Sequence, residues 1–152
     1  SSTTTTEPTG SVATALAHAN RLLGSDPRMA AEQAMAILEA VPRHAEATLI
    51  LATALRLSGE LDQAQRVVDP LSRAFSQSPP VQLEHGRILA AAGQTQGAIA
   101  AFKRATVADP DLADAWRGLA EVLRLRTLVV SALVVVWLAL LGTATVSPFS
   151  MR

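Results

Sequence analysis

The sequence predicts an all-α protein: a solenoid of antiparallel helix pairs that ends in one long hydrophobic helix. Small and apolar residues recur with a period of 34 residues, which is typical of stacked helix pairs. Aromatic residues make up 3% of the chain and Tyr is absent, which favours close-packed helices over a β-sandwich. All acidic residues, and all basic residues except Arg152, lie at or before Arg126. The chain therefore divides into a charged first part and an apolar last part.

The helices follow from hydrophobic spacing and from turn residues. Six helices are predicted over residues 12–24, 28–41, 45–58, 60–75, 81–92 and 95–108, and a seventh opens at residues 109–111 and runs to Arg126. Asp26 before Pro27 is a typical N-cap followed by proline at the first helical position. Gly59 and Gly93 predict tight turns within pairs. Pro70 lies inside a predicted helix and predicts a kink or an early end there.

Four segments follow from this pattern. Residues 1–11 are rich in Ser and Thr and predict a flexible tail. Residues 12–126 form the predicted repeat domain, residues 127–147 a transmembrane helix, and residues 148–152 a short tail. The apolar segment is hydrophobic on all sides, and Leu128–Val146 would reach about 28 Å as a helix, close to the hydrocarbon thickness of a bilayer. Two alternatives are a buried helix that caps the solenoid and a frameshifted, non-native C-terminus.

The repeat resembles the tetratricopeptide pattern W-x2-L-G-x2-Y…A-x3-F…P. The most specific matches are listed here: Gly86, Ala98, Phe102, Ala105, Pro110 and Trp116. This resemblance implies a protein-binding scaffold whose concave groove holds extended peptide segments. The residues 30–34, 41–47 and 109–116 are similar to the repeat modules that precede bacterial sulfotransferase-like domains. The alternatives are thus a truncated or frameshifted module of a sulfotransferase-family enzyme, or a self-assembling repeat protein.

The first helix of each pair would line the groove. The predicted partner-binding residues are Leu49, Thr53, Arg56, Leu83, Arg87, Arg117, Glu121 and Arg124. Their positive bias predicts an acidic or carboxylate-bearing peptide, bound by bidentate arginines. The other interpretation is that these side chains are solvated helix surface.

No residue pattern in the sequence predicts catalysis. The three histidines lack metal-ligand spacing, and no glycine-rich phosphate loop or nucleophile with a neighbouring base is present. No cofactor is therefore expected, and a formal net charge of zero gives no reason to expect a nucleic-acid partner. The sequence predicts protein partners, a membrane, and self-association through the unfinished last repeat. Arg124 and Arg126 before the apolar segment predict a single-pass protein with cytoplasmic repeats, or a cytoplasmic protein if the segment does not span a membrane.

Overall fold

In a computed structural model of the protein, residues 9–144 are described, and within them the chain forms helices and no strand. The helices are α1 (Thr9–Leu22), α2 (Pro27–Ala40), α3 (Ala45–Leu57), α4 (Leu61–Ala74), α5 (Pro79–Ala91), α6 (Thr95–Ala108) and α7 (Ala113–Ala144). The predicted all-α fold of three helix pairs plus one helix is confirmed. Residues 9–11 of the predicted tail belong to α1; the rest of that tail, and residues 145–152, lie outside the described residues.

The helices stack as a solenoid. Each helix contacts the next one along the chain, and the odd-numbered helices also contact one another: α1 with α3, α3 with α5, and α5 with α7. Such a pattern places α1, α3, α5 and α7 side by side in one layer, with α2, α4 and α6 in the other. Side chains on the odd helices can therefore meet across repeats.

Two glycines close the turns within the second and third pairs. Gly59 and Gly93 have φ of 82° and 74°, a left-handed conformation that glycine adopts without steric cost. At each turn the N–H of the residue after the glycine donates to the carbonyl five residues earlier, from Glu60 to Leu55 and from Gln94 to Leu89, both at 2.9 Å. These are Schellman motifs.

The predicted cap at the start of α2 is also present. The Asp26 carboxylate accepts a hydrogen bond from the Met29 N–H at 3.1 Å, and Pro27 is the first residue of the helix. His44 caps α3 in the same way, because its Nδ1 accepts from the Ala47 N–H at 3.3 Å. The sequence did not single out His44 for this role.

Small residues allow the helices to pack closely. Ala64 and Ala98, which occupy equivalent positions of two repeats, are fully buried. The Phe102 ring, 1% exposed, lies between Gly86 of α5 and Gly118 of α7: a Cβ at either glycine would approach ring atoms to 2.6 Å. This aromatic side chain therefore joins the third pair to the last helix.

Two helices differ from their predicted bounds. α4 continues through Pro70 to Ala74, so the early end does not occur, although the proline leaves the Arg66 carbonyl without its usual helical N–H donor. α7 does not end at Arg126 but continues to Ala144. Thr127 stands 34 residues after Gly93, and a β-branched residue disfavours the positive φ that the turn requires.

Candidate functional site

A ladder of ion pairs crosses α3, α5 and α7 on the layer of odd helices. Arg56 Nε donates to Glu84 Oε1 at 2.5 Å. One turn along α5, Arg87 Nη2 donates to Asp114 Oδ2 of α7 at 3.1 Å. Asp114 also accepts from Arg117. We call these five residues the charge ladder; it alternates in sign across three successive helices.

The two ends of the charge ladder differ in exposure. The Glu84 side chain is 5% exposed and that of Arg56 is 20% exposed, so this pair is largely removed from water. Arg117 is 76% exposed, so its guanidinium remains accessible to a partner. Arg56 is thus engaged within the protein, whereas Arg117 can form further hydrogen bonds.

A second ion pair lies one turn further along α7. Arg124 donates to both oxygens of Glu121, at 2.9 Å and 3.3 Å. The hydrogen bond from Arg124, together with its positive charge, holds the pKa of Glu121 below its usual value. Both side chains are exposed. We call the surface of α3, α5 and α7 that carries the charge ladder and this pair the charged face; this pair is at its solvent-accessible end.

The remaining predicted site residues have different environments. Leu49 and Thr53 are half-buried on α3, and the Thr53 hydroxyl donates to the Leu49 carbonyl at 2.9 Å. Leu83 is 8% exposed and packs in the same core cluster as Phe102. Leu83 therefore contributes to the interior and presents almost no surface to a partner.

Sequence reasoning missed the acidic half of this face. Glu84 and Asp114 were not among the predicted site residues, yet they pair with three of the predicted arginines. Arg56 precedes Glu84 by 28 residues and Arg87 precedes Asp114 by 27. The two pairs are not related by the 34-residue period, because Arg56 corresponds to Ala90 and Glu84 to Gly118, so the repeat pattern held no signal for the acidic partners.

A polar cleft of about 410 Å³ lies where α4, α5 and α6 meet, lined by Asp69, Ser72, Arg73, Ser76, His85 and Arg104. His85 Nε2 lies 3.0 Å from Asp69 Oδ1, so this half-buried histidine has a polar partner. Burial lowers the pKa of His85, an effect that Asp69 opposes and that Arg104 and Arg73 reinforce.

Gln82 ties the walls of this cleft together. It is fully buried, and its amide donates to the carbonyls of Ser72 and Phe75 at the end of α4, at 3.0 Å and 3.2 Å. Its oxygen accepts from Arg104 Nε at 2.7 Å. All three bonds stabilise the packing of α4, α5 and α6, so Gln82 has a structural role.

The segment after Arg126 is exposed along its length. Side chains from Thr127 to Gly142 are exposed in the structure, and the apolar window of this helix has a mean hydropathy of 2.2 with none of it buried. By length and composition this helix is able to cross a membrane. It does not pack against the rest of the chain as a buried cap would.

Among residues 9–144, no group of three or more His, Asp or Glu side chains is placed to hold a metal ion, and the whole chain lacks Cys. His44 caps α3, His85 contacts Asp69 through Nε2, and His18 is exposed on α1.

One family model, the tetratricopeptide repeat, matches residues 79–122, which span α5, α6 and the first turns of α7. No curated protein matches the chain. The match and the stacked helix pairs together support a tetratricopeptide-repeat protein. Repeats of this class typically mediate protein–protein interactions, and the match suggests a non-catalytic repeat protein. The further similarity to sulfotransferase-associated modules has no support in these matches.

Proposed function

We propose that the protein is a membrane-anchored scaffold that binds extended, carboxylate-bearing peptide segments on the face formed by α3, α5 and α7. The observation that supports the anchor is the continuity of α7. One helix carries the last charged residues of the repeats and then an exposed apolar segment, without a linker. Thr127–Ala144 would extend about 27 Å, close to the hydrocarbon thickness of a bilayer.

The charges on α7 favour one orientation. Arg124 and Arg126 precede the apolar segment, and basic residues beside a span are retained on the cytoplasmic side. The repeats would therefore be cytoplasmic. Thr95 and Gln96, at the start of α6, line one groove with Leu125, Arg126, Val129 and Val130 of α7. The edge of the solenoid that carries the Gly93 turn would therefore face the membrane.

The proposed peptide site rests on a difference between the arginines of the charged face: some are exposed and able to form further hydrogen bonds, and one is paired with a buried carboxylate. Arg117 and Arg124 are 76% and 64% exposed, and each arginine has N–H groups beyond those used in its pair. A peptide carboxylate can share these donors at little desolvation cost. Arg56, in contrast, is paired with the nearly buried Glu84, so we assign Arg56 to stabilising the face.

The anchor is tested by carbonate extraction of the full chain beside a Leu133→Arg/Val136→Arg variant. Arginine at the centre of a span costs about 2.5–3.5 kcal/mol per residue, so the double variant should leave the membrane pellet while the unaltered chain stays in it. A Phe75→Arg/Val107→Arg variant adds the same charge at exposed sites of the repeats and should stay in the pellet. Release of the unaltered chain by carbonate would contradict the anchor.

The peptide site is tested by titrating synthetic extended peptides of equal length, one acidic and one basic. We expect the acidic peptide to bind, and Arg117→Glu/Arg124→Glu to weaken it at least about tenfold, comparable to losing one charge-assisted hydrogen bond. Arg43→Glu/Arg66→Glu, at exposed sites away from α7, is the matched control. Equal affinity in the two variants would show that the charged face is only solvated surface.

Of the two alternatives, self-assembly has a specific observation in its favour: Trp116 and Leu123 on α7 are exposed apolar side chains. The enzyme-fragment alternative is supported only by the similarity of short sequence segments. A sulfotransferase reading frame downstream in the parent gene would support it.

A further inference from the structure

Within residues 9–144, one side of α7 is not covered by a following helix, whereas the same side of α5 is covered by α6. We call it the open side of α7. In α5, Gly86 and Leu89 are buried against α6: a Cβ on Gly86 would meet the Phe102 ring, and Leu89 lies against Gly97. Their equivalents 34 residues later are Ala120 and Leu123, and both are exposed, Leu123 to 39%. Trp116, equivalent to the fully buried Gln82, is 50% exposed. This packing surface has no partner among the described residues.

Residues 127–144 do not fill that place. Because the helix runs straight through Thr127, the position of the turn glycine, these residues move away from the repeats instead of folding back on α7. Thr127 instead keeps its helical place, and its hydroxyl donates to the Leu123 carbonyl at 3.0 Å. The open side of α7 and the apolar segment therefore belong to one uninterrupted helix.

The open side of α7 can be followed into the apolar segment by a heptad spacing. Starting from Trp116, the residues at alternating steps of four and three are Trp116, Ala120, Leu123, Thr127, Val130, Val134, Trp137 and Leu141. All eight are exposed, as is every other described residue from Thr127 to Gly142. We call this set the α7 seam. The seam is therefore defined by Trp116, Ala120 and Leu123, whose counterparts in α5 are buried, and is extended from them by the heptad spacing. A spacing of four and three keeps residues on one face over several turns when two helices wind around each other with a left-handed twist.

We propose that the α7 seam is an interface with a second copy of the chain, in which two α7 helices pack in parallel from Trp116 to Leu141. The membrane half of this interface rests on the anchor proposed above. Two copies inserted in the same orientation bring each seam position opposite its own counterpart, as in a parallel helix pair. Within the bilayer the two helices would associate by side-chain packing.

The continuity of the seam selects a second copy over other partners. A partner must cover apolar side chains beside the repeats and then follow the same face through residues with no charge, in a single helix. A second α7 meets both requirements, because it is a helix of the same length that changes from charged to uncharged residues at the same position. Trp116 is already positioned for such packing, because its indole N–H donates to the Pro110 carbonyl at 2.8 Å while half of the side chain stays exposed.

The flanking charges fit this arrangement. Arg124, next to the seam residue Leu123, is paired with Glu121 of its own helix, so the positive charges of two copies are partly compensated at the interface. Arg126 lies one residue before Thr127, at the level where anionic lipid headgroups would neutralise it.

The experiment uses cysteine cross-linking of the full chain in membranes, which is straightforward because the chain has no Cys. Leu123→Cys, Thr127→Cys and Val134→Cys place a thiol on the seam, where facing positions of paired helices come within disulfide reach. Leu125→Cys and Val136→Cys, each two residues after a seam residue and therefore about 200° around the helix, are matched controls. We expect disulfide-linked dimer from the three seam variants and none from the controls.

Equal dimer yields at seam and control positions, or no dimer at any seam position, would overturn the interface. Carbonate extraction of the same samples separates this result from the anchor. If the chain is carbonate-resistant but seam thiols do not cross-link, the interface fails and the anchor stands. If the chain is carbonate-soluble and only Leu123→Cys cross-links, the anchor and the membrane half of the interface fail, while the pairing beside the repeats stands.

Discussion

The Phe102 ring is held from two sides by residues that have no side chain. Gly86 approaches it from α5 and Gly118 from α7, and a Cβ at either position would lie 2.6 Å from the nearest ring atoms. Real carbon contacts are not this short, so a methyl group at one glycine must displace the ring toward the other. The ring is close to backbone on both of these sides, and the two glycines therefore define how closely α5, α6 and α7 pack.

We predict that Gly86→Ala and Gly118→Ala each lower the free energy of unfolding by about 1–3 kcal/mol through overpacking. Alanine is otherwise the better helix former by about 1 kcal/mol, so a loss of stability would isolate the steric term. Thermal or urea unfolding measures it. Gly24→Ala, whose added Cβ meets only the Arg21 carbonyl oxygen at 3.9 Å, is the control and should not be destabilised by a clash. A stabilised Gly118→Ala would show that the ring has room to move.

His85 supplies a second prediction at the residue scale, a pH dependence. Burial lowers its pKa from the usual 6.5, despite the attraction of Asp69. The unfolded chain therefore binds a proton more readily than the folded one in the window between 6.5 and the lowered value. By linkage, the stability that neutral His85 contributes is fully present above this window and is lost as the pH falls through it.

His85→Leu, which installs the residue found at the equivalent position 119, should reduce this decline. Urea unfolding at a series of pH values across the window compares the two chains. The prediction is contradicted if both lose stability with the same slope.

At the scale of the elements, the first six helices could be predicted closely because their ends are written in local chemistry. The Asp26 carboxylate accepts a hydrogen bond from a free N–H at the start of α2, and Pro27 lacks an N–H that would need a partner. Gly59 and Gly93 adopt the positive φ that lets the next N–H donate to a carbonyl of the last helical turn. The end of α7 could not be predicted in this way. The repeat period places a turn at Thr127, but the apolar residues beyond it are good helix formers or are tolerated in helices, so the helix continues.

Pro70 shows the limit of a single-residue rule within an element. α4 passes through it, because the buried side of this helix, including Val68 and Leu71, is held by neighbouring helices. We predict that Pro70→Ala raises the free energy of unfolding, by no more than about 3 kcal/mol, since it restores a hydrogen bond to the Arg66 carbonyl. Urea unfolding measures the change. A marked loss of stability would mean that the packing of α4 depends on the backbone shape that proline imposes.

At the scale of the whole molecule, the charge ladder joins three repeats through side chains of the odd-numbered helices. The sequence identified its arginines but not their partners, because pairing across repeats depends on how neighbouring helices are rotated. Local patterns specify the helices; the rotation is set by the core, through contacts such as that of Phe102 with Gly118. The predicted excess of positive charge is consequently smaller than the list of arginines suggests.

The final prediction concerns the buried end of this ladder. Glu84→Gln should lower the free energy of unfolding by about 2–3 kcal/mol, because it leaves the guanidinium of Arg56 without its countercharge in a site that water reaches only in part. The matched variant Glu121→Gln removes one partner of an exposed pair and should leave the midpoint of unfolding unchanged. Urea titration of the full chain in mild detergent micelles compares them. If both variants unfold at the same urea concentration, Arg56 is not tied to the fold, and it returns to the set of residues that are free to bind a partner.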